Sequence, residues 1–228
     1  MADPFDRAFA ALEPLERNSL RAISIARSYD RGEVLFHQGD DPGALHAITR
    51  GRVKISGVTD DGREALFSLA GPGDLVGEIS ALAGRRRTAT VRALEPVSSL
   101  AIPGDALRAA VGRSAPLAIF FLELAADRLQ AADLQRLEFA GHDVLGRVAR
   151  RLILLAEESG RPVGDGIAVD VFLSQEDLAG WTAASREAVN RALHQLRAVG
   201  CLRSERRRMI VTDIDALRRY AGVSRQPQ

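Results

Sequence analysis

Chemistry in this 228-residue chain concentrates first in the stretch GDLVGEISALAGRRRTATVRA, from Gly73 to Ala93. A Gly77–Glu78 pair is followed nine residues later by Arg87 and Thr88. These residue types suit one kind of ligand. A guanidinium fork and backbone amides hold a phosphate-type anion. A following hydroxyl adds a further donor. A carboxylate accepts from a sugar hydroxyl, and glycine lets the backbone come close to the ligand. Arg85 and Arg86 are surplus to that set and read as exposed turn charges.

A second constellation lies in SQEDLAGWTAASREAVNRALHQL. Ser174 is an N-cap candidate with Asp177 at the third helical position, so a helix is expected over 175–181. TAA forms a turn. Ser185 then caps a helix over 186–199 that ends at Gly200. Leu178, Val189, Leu193 and Leu196 face inward. Ser185, Arg186, Glu187, Asn190 and Arg191 project outward from its first turns. Arg pairs bidentately with guanine, Glu accepts from cytosine N4, and Asn reads adenine. The helix N-terminus and the Ser185 hydroxyl suit a phosphate. The alternative is an ordinary helical hairpin with a solvated polar face. LRSERRRMIVT follows and reads as two short strands joined by a basic turn. Arg206, Arg207 and Arg208 there would lie along a phosphate backbone, unless the run is simply a solvated turn.

These groups must be positioned by two textures of sequence. Residues 4–28 read as one or two short helices with Leu12, Leu15, Leu20 and Ile23 as apolar points. From Ser28 to about Pro103, turn signals recur every 8–12 residues between short apolar runs, the pattern of a sandwich or barrel. GDALRAAVGRS is a short helix. Pro116 to Ala140 contains no Gly or Pro after its first residue, and Pro116 suits the first turn of a helix. Positions 117, 121 and 124 line one apolar face, and 119, 122, 126 and 129, continued by Leu137, line another. Two apolar faces imply two partners: the chain's own β domain, and the same helix of a second subunit. A fully buried helix in a monomer is the alternative. AGHD, 140–143, breaks that helix, and Asp143 caps the next, VLGRVARRLILLAEES. GRPVGDG is expected as a loop and IAVDVFL as a strand. A last helix starts from the N-cap candidate Asp213.

Bulk composition narrows the class. Residues 143–228 carry 14 Arg/Lys against 11 Asp/Glu, while residues 1–142 carry 17 against 19. The basic excess is C-terminal, which favours an anionic partner there. The single cysteine, Cys201, excludes an internal disulfide and a Cys-ligated iron–sulfur or zinc centre within one chain. No apolar run reaches the roughly 18 residues of a membrane span, and the N-terminus lacks a signal-peptide core. A cytoplasmic protein without membrane contact is expected. No nucleophile–base pair or metal-ligand spacing supports an enzyme. His37, His46, His142 and His194 are scattered, which gives no basis for a haem ligand.

SREAVNRAL is similar to the recognition helix of the Crp–Fnr superfamily. FAGHDVLGRVARRLILLA resembles that family's hinge and first helix of its DNA domain, with Asp143, Gly146 and Arg147 at matching places. GEIS followed by RTATVRA resembles the phosphate-binding cassette of cyclic-nucleotide-binding domains. The resemblance covers nearly the whole chain. It implies an α+β fold: an N-terminal β-roll (jelly roll) with N-terminal helices over 1–114, a dimerisation helix and hinge over 115–142, and a winged helix-turn-helix domain over 143–228. It implies that Gly77 and Glu78 hold a ribose and that Arg87 and Thr88 hold a cyclic phosphate, assisted by amides near Ile79 and Ser80. In adenine-binding members a Thr–Ser pair on the long helices meets the base. The matching positions are Ala132, which offers no side-chain hydrogen bond, and Asp133, which could meet adenine or guanine; family frequency puts cAMP first as the expected effector and cGMP second, with no obligatory cofactor. Arg186, Glu187 and Arg191 fall on base-reading positions, Ser185 on a phosphate contact, and Ser174 and Asn190 join the interface.

The implied function is a homodimeric transcription regulator, binding pseudo-palindromic double-stranded DNA with TGTGA-like half-sites and working with RNA polymerase. Two departures stand out: Ala183 where glycine is frequent in the turn, and Asn190 where a small residue is usual. Two other functions stay open. One is a regulator that binds DNA with no nucleotide or with another effector. The other is a nucleotide-binding subunit acting on a partner protein.

Overall fold

The computed structural model describes residues 3–60, 62–170, 173–205 and 208–222. The chain forms two compact units that divide between Ala131 and Ala132.

The first unit opens with α1 (Pro4–Ala8) and α2 (Pro14–Ala22), each with a proline in its first turn, where the missing N–H costs nothing. Eight strands follow: β1 (Ile25–Tyr29), β2 (Val34–Phe36), β3 (Leu45–Arg50), β4 (Val53–Val58), β5 (Glu64–Ala70), β6 (Leu75–Val76), β7 (Thr90–Ala93) and β8 (Val97–Ile102). They form two four-stranded sheets, in the orders β1-β8-β3-β6 and β2-β7-β4-β5. Helix α3 (Glu78–Ala83) interrupts the strands, and α4 (Gly104–Val111) follows them. The period-2 alternation of β3 explains the two cores. Leu45 and Ala47 join Phe5, Phe9, Leu20, Ile102 and Leu107 under the helices. Ile48, on the opposite face, packs with Val53, Val76, Val91 and Val97 between the sheets.

Helix α5 (Ala115–Gly141) begins in this unit. Leu117 and Phe121 are buried in the helical core with Leu124 against them. Ile119, Leu122, Leu129, Leu134 and Leu137 are 55% to 70% exposed. Both apolar faces anticipated from the spacing therefore exist, and the second is uncovered in the single chain.

The second unit contains α6 (Val144–Ser159), β9 (Arg161–Val163), β10 (Gly166–Asp170), α7 (Gln175–Trp181), α8 (Arg186–Ala198), β11 (Leu202–Glu205), β12 (Arg208–Val211) and α9 (Ile214–Tyr220). Its sheet order is β11-β12-β10-β9. Helix α6 packs on α8, α9 and β10, and Val148, Leu152, Trp181, Val189, Leu193, Leu196 and Leu217 are buried. Asp143, Ser174, Ser185 and Asp213 cap α6, α7, α8 and α9, each accepting a backbone N–H of the first turn.

The structure corrects three expectations. Residues 25–28, read as the end of a helical segment, belong to strand β1, which is paired along its length with β8. The GRPVGDG segment is a short edge strand and turn rather than a loop, because β9 pairs with β10; Pro162 is tolerated there because an edge strand has a side that needs no donor. Helix α8 ends at Ala198, one residue early.

Ala183, in the turn between α7 and α8, has φ 47°, the one positive value outside glycine among the described residues. An L-residue in this region is strained by about 1–2 kcal/mol, partly offset by the chain entropy that glycine adds to the unfolded state. Ala183→Gly is therefore expected to raise stability by about 0.5–1 kcal/mol, measured by chemical denaturation; a loss of stability would show the turn is not strained.

Candidate functional site

Strand β6 delivers the chain to Gly77, which caps α3 in the left-handed region at φ 81°. A Cβ here would lie 2.5 Å from Arg87 Nη1 and 3.1 Å from the Phe36 ring, so only glycine fits. Arg87 is 5% exposed. Its Nη1 donates to the Gly77 carbonyl at 3.0 Å and its Nη2 to the Ala44 carbonyl at 2.7 Å. Its guanidinium carbon sits 3.9 Å from the centre of the Phe36 ring. Its Nε is buried without a partner. A buried cation held by neutral carbonyls is poorly compensated. Burial accordingly pushes the Arg87 pKa down, while Asp40 and Glu78 oppose that shift.

Glu78 is also buried, and its ion-pair partner is not Arg87. Its Oε1 lies 3.3 Å from Nε of Arg128 on α5, and Arg128 Nη2 donates to the Leu75 carbonyl at 2.9 Å. Arg128 is the site residue that sequence reasoning missed. The signal was present: 117, 121, 124 and 128 continue one helical face, so a charge sits at an inward position.

The rest of the set is less concentrated. Ser80 is buried and its hydroxyl donates to the Arg86 carbonyl. Ile79 and Thr88 are exposed. Arg85 and Arg86 are exposed too, as expected of turn charges. On α5, beyond the first unit, Ala132 is half-buried, and exposed Asp133 pairs with Arg136 at 2.6 Å.

The same interior holds His46, 5% exposed, with Nδ1 3.1 Å from Ser99 Oγ. Burial first, then the charges of Arg87 and Arg27, lower its pKa from 6.5 to about 4. The unfolded chain thus binds a proton at a pH where the folded chain does not. The stability contributed by neutral His46 is complete above pH 6.5 and is lost as pH falls towards 4, on the order of 3 kcal/mol in all. His46→Gln is expected to remove this part of the acid dependence of unfolding; an unchanged pH profile would sink the assignment.

In the second unit the outward residues of α8 stand where the spacing places them. Ser185, Arg186, Glu187, Asn190 and Arg191 are all exposed, beside the buried Val189 and Leu193. Ser185 Oγ accepts the Ala188 N–H, and Arg186 Nη1 lies 3.6 Å from Glu176. The Glu187 carboxyl is lowered by its own backbone N–H and by the Ser185 hydroxyl. Ser174 is engaged in a capping box with Asp177. Arg208 opens β12 and is exposed. Arg206 and Arg207 lie outside the described residues.

Two arginines one turn apart on α6 fasten the α7–α8 turn. Arg147 Nε donates to the Thr182 carbonyl at 2.8 Å, and its Nη1 donates to the His142 carbonyl at 2.6 Å. Arg151 Nε reaches the Trp181 carbonyl at 3.4 Å, and its Nη2 lies 3.2 and 3.3 Å from the two oxygens of buried Glu138, near the end of α5. The Arg151 guanidinium also lies 5.1 Å from the Trp181 ring centre.

With this geometry in view, similarity to known proteins is informative. Residues 26–114 match the cyclic nucleotide-binding domain, and residues 146–220 match the Crp-like helix-turn-helix domain. The chain is 32% identical over 213 residues to a CRP-like cAMP-activated global transcriptional regulator of Mycobacterium tuberculosis, covering 93% of this chain and 95% of that one. It is 31% identical over 195 residues to the cyclic AMP receptor protein of Thermus thermophilus, covering 86% and 87%. Its fold matches the c-di-GMP responsive global regulator CLP of Xanthomonas campestris with a TM-score of 0.77 at 24% identity, over 88% of this chain and 100% of that one. Buried Glu78 and Arg87 beside Gly77, and an exposed polar face on α8, thus occur within matches that span the chain, which belongs to the Crp–Fnr family of transcriptional regulators.

Proposed function

We propose that the chain is a homodimeric transcription regulator whose promoter binding is modulated by a cyclic nucleotide, cAMP first and cGMP second. The observation that carries this reading is buried Arg87, charged and without a carboxylate in contact, beside Gly77 and Glu78. A cyclic phosphate supplies the anion that Arg87 lacks, and a ribose hydroxyl donates to the carboxylate that Arg128 holds. Thr88 and the amides near Ile79 and Ser80 complete the phosphate contacts, and Ala132 and Asp133 meet the base. The working division is a β-roll over 1–114, a dimerisation helix and hinge over 115–142, and a DNA domain over 143–228. The regulator acts in the cytoplasm with RNA polymerase on pseudo-palindromic, TGTGA-like sites; among the described residues no single helix is long and apolar enough to cross a membrane. The two relatives named for cAMP support that order of nucleotides.

Calorimetric titration of nucleotide-stripped protein with cAMP and cGMP tests the reading. Saturable binding of one supports it. A second reading, a regulator that needs no nucleotide, draws on the Arg128–Glu78 pair, which already satisfies the carboxylate. No heat with either nucleotide at two temperatures would favour it.

For DNA, Ser185, Arg186, Glu187, Asn190 and Arg191 read the site, with Arg206, Arg207 and Arg208 along the backbone. Arg186→Ala and Arg191→Ala are each expected to weaken specific binding by about tenfold or more, through loss of about 1–3 kcal/mol of base discrimination. Arg208→Ala is expected to lower the salt slope by about 1 with little loss of specificity. Fluorescence anisotropy against cognate and scrambled duplexes at several salt concentrations separates the two effects. Equal affinity of Arg186→Ala and the native protein for the cognate duplex would remove α8 from base reading.

A further inference from the structure

The first unit holds a cavity of about 490 Å³ that shares only Arg87 with the Gly77–Thr88 set. It is walled by β1, β2, the 40–44 loop, His46 of β3 and the start of α4. Three groups there have hydrogen-bonding capacity that the protein leaves unused. The Arg27 side chain is exposed and makes no hydrogen bond or ion pair among the described residues. The Tyr29 hydroxyl makes none either. Arg87 Nε is buried and unpartnered. The wall also carries the carboxylates of Asp105, Asp41 and Asp40, and the charge of Asp40 acts on Arg87. Asp105 pairs with Arg108, Asp41 lies 3.8 Å from Arg86, and Asp40 accepts the His37 N–H at 2.7 Å. Burial first, and then the charges of Arg87 and Arg27, disfavour protonation of His46 in the same wall. Between these polar groups lie Ile25, Leu35 and Phe36.

We propose that this cavity is a second effector site that takes a small organic carboxylate with a flat apolar body. The carboxylate meets Arg27 and Arg87, with Tyr29 as a further donor, and the body lies against Ile25, Leu35 and Phe36. The volume falls within the about 300–1,000 Å³ of small-molecule sites. An inorganic anion leaves the apolar wall unfilled, and a neutral ligand forgoes the charge-assisted contacts to Arg27 and Arg87. The proposal does not depend on nucleotide binding by Gly77, Glu78 and Thr88.

The test uses the full chain, with benzoate as the probe, benzamide as its neutral match and inorganic phosphate as the anion without a body. The readout is the His46 imidazole resonance, assigned with His46→Gln. Benzoate is expected to shift it saturably and to raise its pKa above about 4, since an anion nearby favours the imidazolium. Benzamide and phosphate are expected to bind at least about tenfold more weakly. Arg27→Gln, an exposed change that breaks no contact, is expected to weaken benzoate by about tenfold while melting and the nucleotide titration stay as in the native protein. Three results overturn the proposal: no saturable His46 response to benzoate, equal responses to benzoate and benzamide or phosphate, or an undiminished response in Arg27→Gln. Arg87 belongs to both sites, so benzoate is titrated without nucleotide; a His46 response that weakens in Arg27→Gln while the nucleotide heats stay native belongs to this cavity, and failure of nucleotide binding is read separately by calorimetry.

Discussion

Arg87→Gln is expected to weaken cyclic-nucleotide binding by about a hundredfold or more while leaving the chain folded. The loss follows from replacing a charge-assisted, forked contact with a neutral amide in a water-poor site, a change of about 3 kcal/mol. The fold survives for a separate reason. Among the described residues Arg87 donates only to the carbonyls of Gly77 and Ala44, and an amide can serve a carbonyl. The substitution also removes a desolvated charge that no carboxylate contacts, so the melting temperature is expected to hold or rise. Calorimetry with cAMP and cGMP, paired with thermal unfolding, reads both effects. Binding retained with native affinity would mean that the phosphate is not held by Arg87. Binding lost together with the fold would mean that Arg87 is a structural residue.

A glutamate at the centre of the uncovered α5 face is expected to have an effect at least as large. Ile119, Leu122, Ala126 and Leu129 follow each other at spacings of three, four and three, the seam of a coiled coil. Leu122 and Leu129 are 70% and 61% exposed in the single chain, so charge there does not disturb the chain's own core. The Leu122→Glu, Leu129→Glu double variant is expected to sediment as a folded monomer. Its affinity for a two-half-site duplex is expected to fall by about 10²–10⁴, because the second recognition helix no longer binds as part of the same molecule. Analytical ultracentrifugation and anisotropy on one-half-site and two-half-site duplexes decide it. A variant that remains dimeric would place the subunit contact elsewhere.

The helical half of the molecule was legible because its punctuation is local. Ser174, Ser185, Asp143 and Asp213 each announce a helix through a side chain that reaches its own first turn, and α7 and α9 begin where those caps place them. The two faces of α5 were legible for a similar reason, since spacing along one helix reports directly on direction. What escaped depends on partners distant in sequence. Strand β1 carries Ala26, Arg27 and Ser28, with little apolar alternation, and exists because β8 pairs with it. Two-residue β6 and six-residue α3 are too short to show a period. The Gly77, Glu78 and Arg87 cluster was visible as a motif, but its internal wiring was not. That Glu78 turns to Arg128 rather than Arg87 depends on how the first half of α5 lies against the β6–α3 corner.

The fastening of the α7–α8 turn bears on the thermodynamics of DNA recognition. A reading helix on a loose turn must be immobilised as it enters the groove, and that lost freedom subtracts from affinity for every duplex alike. Here Arg147 and Arg151 hold the carbonyls of Thr182 and Trp181 before any duplex arrives. The ordering entropy is spent during folding, so on the proposed reading the contacts of Arg186, Glu187, Asn190 and Arg191 hold every duplex more tightly by the same increment, and the preference for one base sequence over another rests on those contacts alone.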